Sequence, residues 1–463
     1  MKRRDERDSI GCMEVPEDAY YGVHSLRAKR NFDITRRPLE ADFIKTLVEV
    51  KKAAAMANFQ AGDLPGVKYR AIMQACDFIL ADNLMEEFIV DAIQGGAGTS
   101  TNMNANEVIA NKALEMMGVE KGRYDILHPN DDVNMSQSTN DVIPTAGKIT
   151  AVKLLEKAKS ELQALSEALE RKSAEFRDVI KMGRTQLQDA VPISMGQVFH
   201  AYGSVVKRDI ERFSKAQQEL CTVNIGGTAI GTSVNAGKTY FHAIPHCIFQ
   251  TTGVRIFQAE DLIDATQNLD SFVYVSGIIK TCAVSLSKIS NDLRLLSSGP
   301  RTGLNEIHLP PMQNGSSIMP GKINPVIPEV VSQVAFNIIG NDTTITMAAE
   351  AGQLELNAFE PVLFFKLFES IGTLERAVNT FTKNCICGIQ VNKQACHDLL
   401  DRSVGVVTAL CPQIGYNKAS ELAKRSLQTG EPIRSILLDE QVLSKSMIDT
   451  LLNPVHLVRP LRS

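Results

Sequence analysis

Residues 315–326, GSSIMPGKINPV, crowd two adjacent serines, two glycines, two prolines, a lysine and an asparagine into one short stretch. A loop between helices draws on the same residue types because they suit turns. A phosphate-binding loop needs G-x-x-x-x-G-K-[ST], but here five residues separate Gly315 from Gly321 and Ile323 stands where the magnesium-binding hydroxyl belongs. An acyl-transfer nucleophile needs G-x-S-x-G and a histidine base, and Ser316 has only one of the two glycines. What remains is a turn-rich loop with two hydroxyls and one fixed cation, whose chemistry depends on the rest of the chain.

The chain has 463 residues, 44% hydrophobic and 22% charged, enough for a large core in two or three domains. Forty-nine basic and fifty-three acidic side chains leave a net charge of -4, which points to neither nucleic acid nor an acidic membrane as partner. The N-terminus, MKRRDERDSIG, has no apolar signal-like run, and no stretch approaches the roughly 18 apolar residues of a membrane span. A cytoplasmic protein is expected. The nine cysteines are scattered and odd in number, so free thiols are expected rather than a disulfide framework. Cys385, Cys387, Cys396 and His397 match no common zinc spacing, and Pro245 beside His246 argues against a regular helix presenting His242 and His246 together. No metal site is expected.

Up to about residue 138 the sequence mixes short helical patterns with Gly- and Asn-rich loops, notably QGGAGTSTNMNANEV at 94–108 and HPNDDVNMSQSTNDVIPT at 128–145. From about 145 to 178, Ile149, Val152, Leu155, Leu162, Leu165 and Leu169 recur near helical spacing with Lys and Glu between them. Comparable stretches at about 191–221, 261–297, 327–350 and 355–385 predict a bundle of five long helices. The third, with Leu269, Phe272, Val273, Val275, Ile278 and Ile279, is too apolar to face water, and burial against a partner subunit would explain it. The expected organisation is an N-terminal mixed helical domain at 1–138, a central long-helix domain at 139–391 and a small C-terminal helical domain at 392–463.

Three further loops concentrate hydroxyl and amide side chains: Thr99 to Asn102, Ser136 to Asn140, and Arg184 with Thr185, Gln186 and Gln188. With Lys322 they suit a small dicarboxylate held by many hydrogen bonds and few charges. Each loop alone reads equally well as a turn or a helix cap. Their combination carries the functional reading.

GSSIMPGKINP resembles the G-S-S-x-x-P-x-K-x-N signature of the aspartase/fumarase superfamily, which includes argininosuccinate and adenylosuccinate lyases. GTSTNMNANEV, HPNDDVN…QSTND and GRTQLQDAVP are similar to the matching segments of its aspartase and class II fumarase branch, and the likeness covers nearly the whole chain. YYGVHSLRAKRNF, GAGTSTNMN, GPRTGLNEIHLP and GNDTTITMAAEAGQLELNAFEPV are nearer the aspartase wording, and Gln186 stands where fumarases carry a catalytic histidine.

The resemblance implies a mainly α, three-domain subunit whose long helices build a twenty-helix core in a homotetramer, each active site taking its loops from three subunits. It implies elimination of ammonia from L-aspartate to fumarate through an aci-carboxylate, with no organic cofactor; divalent-cation activation is known in some relatives. Ser316 would be the base. Thr99, Ser138, Thr139 and Ser317 would hold the β-carboxylate as its charge grows. Lys322, Asn324 and Thr185 would hold the α-carboxylate, and Asn140 and Gln186 the amino group. Ser316 becomes basic only if its alkoxide is stabilised, for which nearby backbone N–H groups and Lys322 are suited. Two alternatives stay open: a class II fumarate hydratase acting on L-malate, and a non-catalytic helical assembly protein, as lens crystallins related to argininosuccinate lyase exemplify.

Overall fold

The computed structural model describes residues 2–452 and 458. The chain is mainly helical, and five helices dominate it: Thr139–Glu175, Met195–Leu220, Asp270–Leu296, Val326–Glu350 and Glu360–Asn384. Among the described residues the β structure amounts to four two-stranded sheets. The chain separates into two compact units, one of Met1–Lys159, Glu211–Thr281 and Phe336–Leu374, the other of Ser160–Ile210, Cys282–Ala335 and Glu375–Ser463.

In the first unit the Thr139–Glu175 helix buries Ile149, Leu155 and Ala158. The lysines between them do more than solvate it. Lys153 pairs with Glu49 at 2.5 Å and Lys157 with Asp42 at 2.7 Å, tying it to the Ala41–Ala61 helix. Phe43, Phe272, Phe364 and Phe368 form an aromatic cluster with centroids 5.3 to 5.6 Å apart. Gly147 makes room for it, since a Cβ there would lie 2.4 Å from the Phe364 ring. In the second unit Phe176, Phe199 and Tyr202 pack edge to face, and the Tyr202 hydroxyl donates to Asp292 at 2.9 Å. Within 404–452 a smaller hydrophobic cluster forms around Leu410, Leu422, Ile436, Leu437 and Ile448.

Several local expectations are corrected. The 94–108 stretch is not a loop throughout: Thr99–Met116 is a helix whose asparagines are buried. Asparagine disfavours helices by competing for the backbone, but the amides of Asn104 and Asn111 are engaged elsewhere. Asn104 donates to Glu87 O and accepts from Ile89 N, while Asn111 donates to Tyr20 O and accepts from Gly122 N.

The next long helix starts at Thr139, before Pro144, and Pro245 likewise lies inside the helix Lys238–Thr252, leaving His242 and His246 exposed on a continuous helix. A proline removes the N–H that would bond the carbonyl four residues back. In both helices a side-chain amide replaces it. Asn224 Nδ2 donates to Asn140 O at 2.9 Å, and Gln258 Nε2 donates to Phe241 O at 3.2 Å.

The apolar residues of the 270–296 helix mostly face their own subunit, because Leu269, Phe272, Val275, Ile278 and Ile279 are buried within the chain. The large exposed apolar side chains lie more on the 326–350 helix, at Val330, Phe336, Ile339 and Met347.

Candidate active site

Thr99 opens its helix directly after Gly98, whose φ of 88° suits glycine and whose Cβ would meet Ile143 at 3.0 Å. Thr99, Ser138 and Thr139 line one cavity of about 400 Å³ in the first unit, with Asn102, Asn134, Thr228 and Asn235. Asp141 holds the Ser138 side of this cavity in place. Its buried carboxylate accepts from Ser138 N at 2.9 Å, Thr228 N at 2.8 Å and Gly226 N at 3.2 Å. Burial raises the Asp141 pKa to about 6, opposed by those N–H groups and by Lys51. Asn140 is gripped twice by one neighbouring segment: its carbonyl accepts from Asn224 and its Nδ2 donates to Ala229 O at 2.8 Å.

Behind Thr139 runs a polar chain. Lys51 Nζ donates to Asn134 Oδ1 at 2.6 Å, and Asn102 Nδ2 donates to Asn134 Oδ1 at 3.2 Å and to Thr139 Oγ1 at 3.0 Å. With its oxygen accepting from Asn102, the Thr139 hydroxyl keeps its proton for another acceptor. Lys51 is fully buried, and desolvation lowers its pKa to about 7 against the pull of Asp141.

Thr185 and Gln186 lie in the second unit, at the tip of the hairpin Ile180–Thr185 and Gln188–Ser194. Gln186 and Leu187 form its turn with φ of 53° and 64°, left-handed values without a glycine, and Leu187 is 71% exposed. Glu306, fully buried, anchors the hairpin by accepting from Arg184 at 2.9 Å and pairing with Lys181 at 3.1 Å. Thr185 and Gln186 line a cavity of about 550 Å³ with Lys181, Arg184 and apolar neighbours.

The opening loop belongs to this same unit. Its neck is braced by Gly315 N donating to Lys322 O at 2.8 Å and Asn324 Nδ2 donating to Gly315 O at 2.7 Å. Ser316 Oγ accepts two backbone N–H groups, from Ile318 at 3.2 Å and Met319 at 3.0 Å. Ser317 is exposed. Lys322 and Asn324 line a cavity of about 370 Å³ with Arg294, Ser298 and His308.

The ten expected site residues thus fall into three groups: Thr99, Ser138, Thr139 and Asn140 in the first unit, and the hairpin pair and the loop quartet in the second. Sequence reasoning placed Asn102 in a donor-rich stretch without a role of its own and missed Lys51 and Asn134, because the polar chain that joins the three is made by folding. It also missed the 224–235 segment, though NIGGTAIGTSVN has the same glycine and hydroxyl texture as the loops it did select. Among the described residues no group of three or more His, Cys, Asp or Glu side chains is placed to hold a metal, and no disulfide joins any of the nine cysteines.

Comparison with known proteins places this chain. A family model described as lyase matches residues 11–340, and one described as fumarase C C-terminus matches residues 406–459. The aspartate ammonia-lyase of Helicobacter pylori (strain ATCC 700392 / 26695) is 51% identical over 459 residues, covering 99% of this chain and 98% of that protein. A crystal structure of a fumarate lyase:delta crystallin from Brucella melitensis has a TM-score of 0.97 at 47% identity, over 99% of this chain and 100% of its own. A class II fumarase from Schistosoma mansoni has a TM-score of 0.96 at 33% identity, each chain covered completely. With one model matching most of its length and relatives near half identical from end to end, the chain belongs to the aspartase/fumarase lyase superfamily.

Proposed function

We propose that the protein is an aspartate ammonia-lyase, converting L-aspartate to fumarate and ammonia. The observation that carries the chemistry is the Ser316 oxygen, which accepts two backbone N–H groups. Hydrogen bonds to an ionised oxygen are shorter and about twice as strong as neutral ones, so this pair favours the alkoxide needed to take a proton from C3. As that proton leaves, charge moves onto the β-carboxylate, where donors at Thr99, Ser138, Thr139 and Ser317 bind more tightly in the transition state than in the ground state.

The polarity of the Asn102–Thr139 bond supports the donor role of Thr139. Asn140 spends its Nδ2 on Ala229 O, which leaves Oδ1 to accept from the substrate ammonium, with Gln186 beside it in this reading. Lys322, with Asn324 and Thr185, would hold the α-carboxylate. The reaction proposed uses these side chains and no organic cofactor.

The proposal includes a homotetramer in which loops from different subunits complete each site. The exposed face of the 326–350 helix supports it, since Phe336 is 63% and Met347 67% exposed, and the only charge between 331 and 349, Asp342, is buried against Lys280 and Ser276. Cysteines that form no disulfide accord with a cytoplasmic location.

The relatives favour aspartate over malate as substrate, because identity is 51% to the Helicobacter aspartate ammonia-lyase and 33% to the Schistosoma fumarase. The test is to follow fumarate from purified protein given L-aspartate or L-malate separately. Appearance from aspartate alone is expected, and comparable rates on both would overturn the assignment.

A further inference from the structure

The sequence contains a single Asn-Gly pair, Asn314–Gly315, and it abuts Ser316. Asn314 is exposed, as are the three residues before it. In such a pair the glycine nitrogen can attack the asparagine side-chain amide, because no Cβ on the following residue blocks the approach. The glycine here is imposed by the loop neck: a Cβ at Gly315 would lie 2.5 Å from Lys322 O and 2.8 Å from Asn324 N. The asparagine is under no such constraint. The neck also restrains the nucleophile, since Gly315 N donates to Lys322 O at 2.8 Å while Gly315 O is held by Asn324 Nδ2 at 2.7 Å. With both bonds in place the peptide is engaged and cannot rotate toward the Asn314 side chain.

We propose that Asn314 is a self-modifying site which, each time the neck opens, is exposed to conversion to aspartate or isoaspartate, and that conversion inactivates the Ser316 loop. In the first step the Gly315 nitrogen forms a bond to Asn314 Cγ, the Cγ–Nδ2 bond breaks, and ammonia leaves with the proton from Gly315 N–H. A succinimide ring remains. Water then opens the ring at either carbonyl, giving aspartate or isoaspartate. The isoaspartate product routes the main chain through the former side chain and adds a methylene just before Gly315. That addition displaces Gly315 from Lys322 O and Asn324, and with it the backbone that positions Ser316. Because the bracing residues are also those proposed to bind the α-carboxylate, a dicarboxylate in the site holds the neck closed and protects Asn314.

The experiment ages the full-length protein in warm, mildly alkaline buffer with and without succinate, alongside Asn314→Ala. The mass of the peptide spanning residue 314 and the turnover of L-aspartate are recorded at intervals. The wild type is expected to gain the mass of an amide-to-acid exchange at Asn314, losing turnover in step. Succinate at 100 times its Kd is expected to slow both by up to roughly 100-fold, the factor by which a ligand confined to the braced form depletes the open one. Asn314→Ala should age without this loss. An Asn314 that stays amidated while turnover decays, modification as fast under saturating succinate, or full turnover by the modified enzyme would each overturn the proposal. The turnover readout rests on the proposed aspartate elimination and the mass readout does not. The succinate arm rests on the same reading. Fresh protein inactive on L-aspartate would therefore count against that function alone, while the mass record without succinate would still decide the fate of Asn314.

Discussion

Replacing Asn224 tests how Asn140 is held. Its Nδ2 meets the Asn140 carbonyl at 2.9 Å and Thr266 Oγ1 at 3.0 Å, and that carbonyl has no helical partner because residue 144 is proline. Asn224→Ala leaves the carbonyl unpaired. Such a loss costs about 1–3 kcal/mol when buried, and in this part-buried setting the lower end applies, about 1 kcal/mol. The lost Thr266 bond adds about 1 kcal/mol more. Pro144→Ala by itself should cost roughly 0.4–1 kcal/mol, through greater freedom of the unfolded chain. In the Asn224→Ala background the same change supplies an N–H four residues from Asn140 O, so it should restore the helical bond and recover about 1 kcal/mol. The assay is a double-mutant cycle from urea unfolding midpoints at fixed protein concentration, with kcat/KM on L-aspartate as a second readout. Losses that merely add, with no favourable coupling between residues 224 and 144, would refute the reasoning.

Ser316→Ala should lower turnover by the roughly 10²- to 10⁴-fold that a positioned base contributes while leaving succinate binding little changed, whereas Lys322→Ala should weaken succinate binding as well. Near-normal turnover by tetrameric Ser316→Ala would move the base elsewhere. Lys51 gives a pH signature. Its folded pKa of about 7 lies below the ordinary lysine value of about 10.4, so its penalty is absent above pH ~10.4, grows as pH falls, and is constant below about 7. The Tm of Lys51→Met relative to wild type should therefore rise as pH drops across that window, and a pH-independent difference would contradict it. Thr185→Ala and Ser316→Ala, each inactive alone, should regain partial activity when refolded together, and light scattering should report a tetramer. An active monomer or absent complementation would refute shared sites.

The five long helices were legible because their signal is local: Ile149, Leu155 and Leu162 repeat at the helical period whatever surrounds them. The hydroxyl and amide stretches were legible for a related reason, since each concentrates its donors within a few consecutive residues. What the sequence concealed lies where one segment answers a need in another. Asn224 and Gln258 supply the donors that Pro144 and Pro245 withhold, so helices run through positions where the local rule predicts a break. The asparagines at 102–111 read as a loop because isolated asparagine competes with its own backbone, yet in the fold the amides of Asn102, Asn104 and Asn111 bond distant groups and the helix stands. Apolar content told that the 270–296 helix is buried but not against what, because hydrophobic attraction has no direction. By itself the sequence determined the five long helices, which stretches carry donors and which lyase superfamily the chain resembles. Only the tertiary structure decided how those donors point, because the proton on Thr139 is oriented by Asn102, Asn134 and Lys51, groups brought together only when the chain folds.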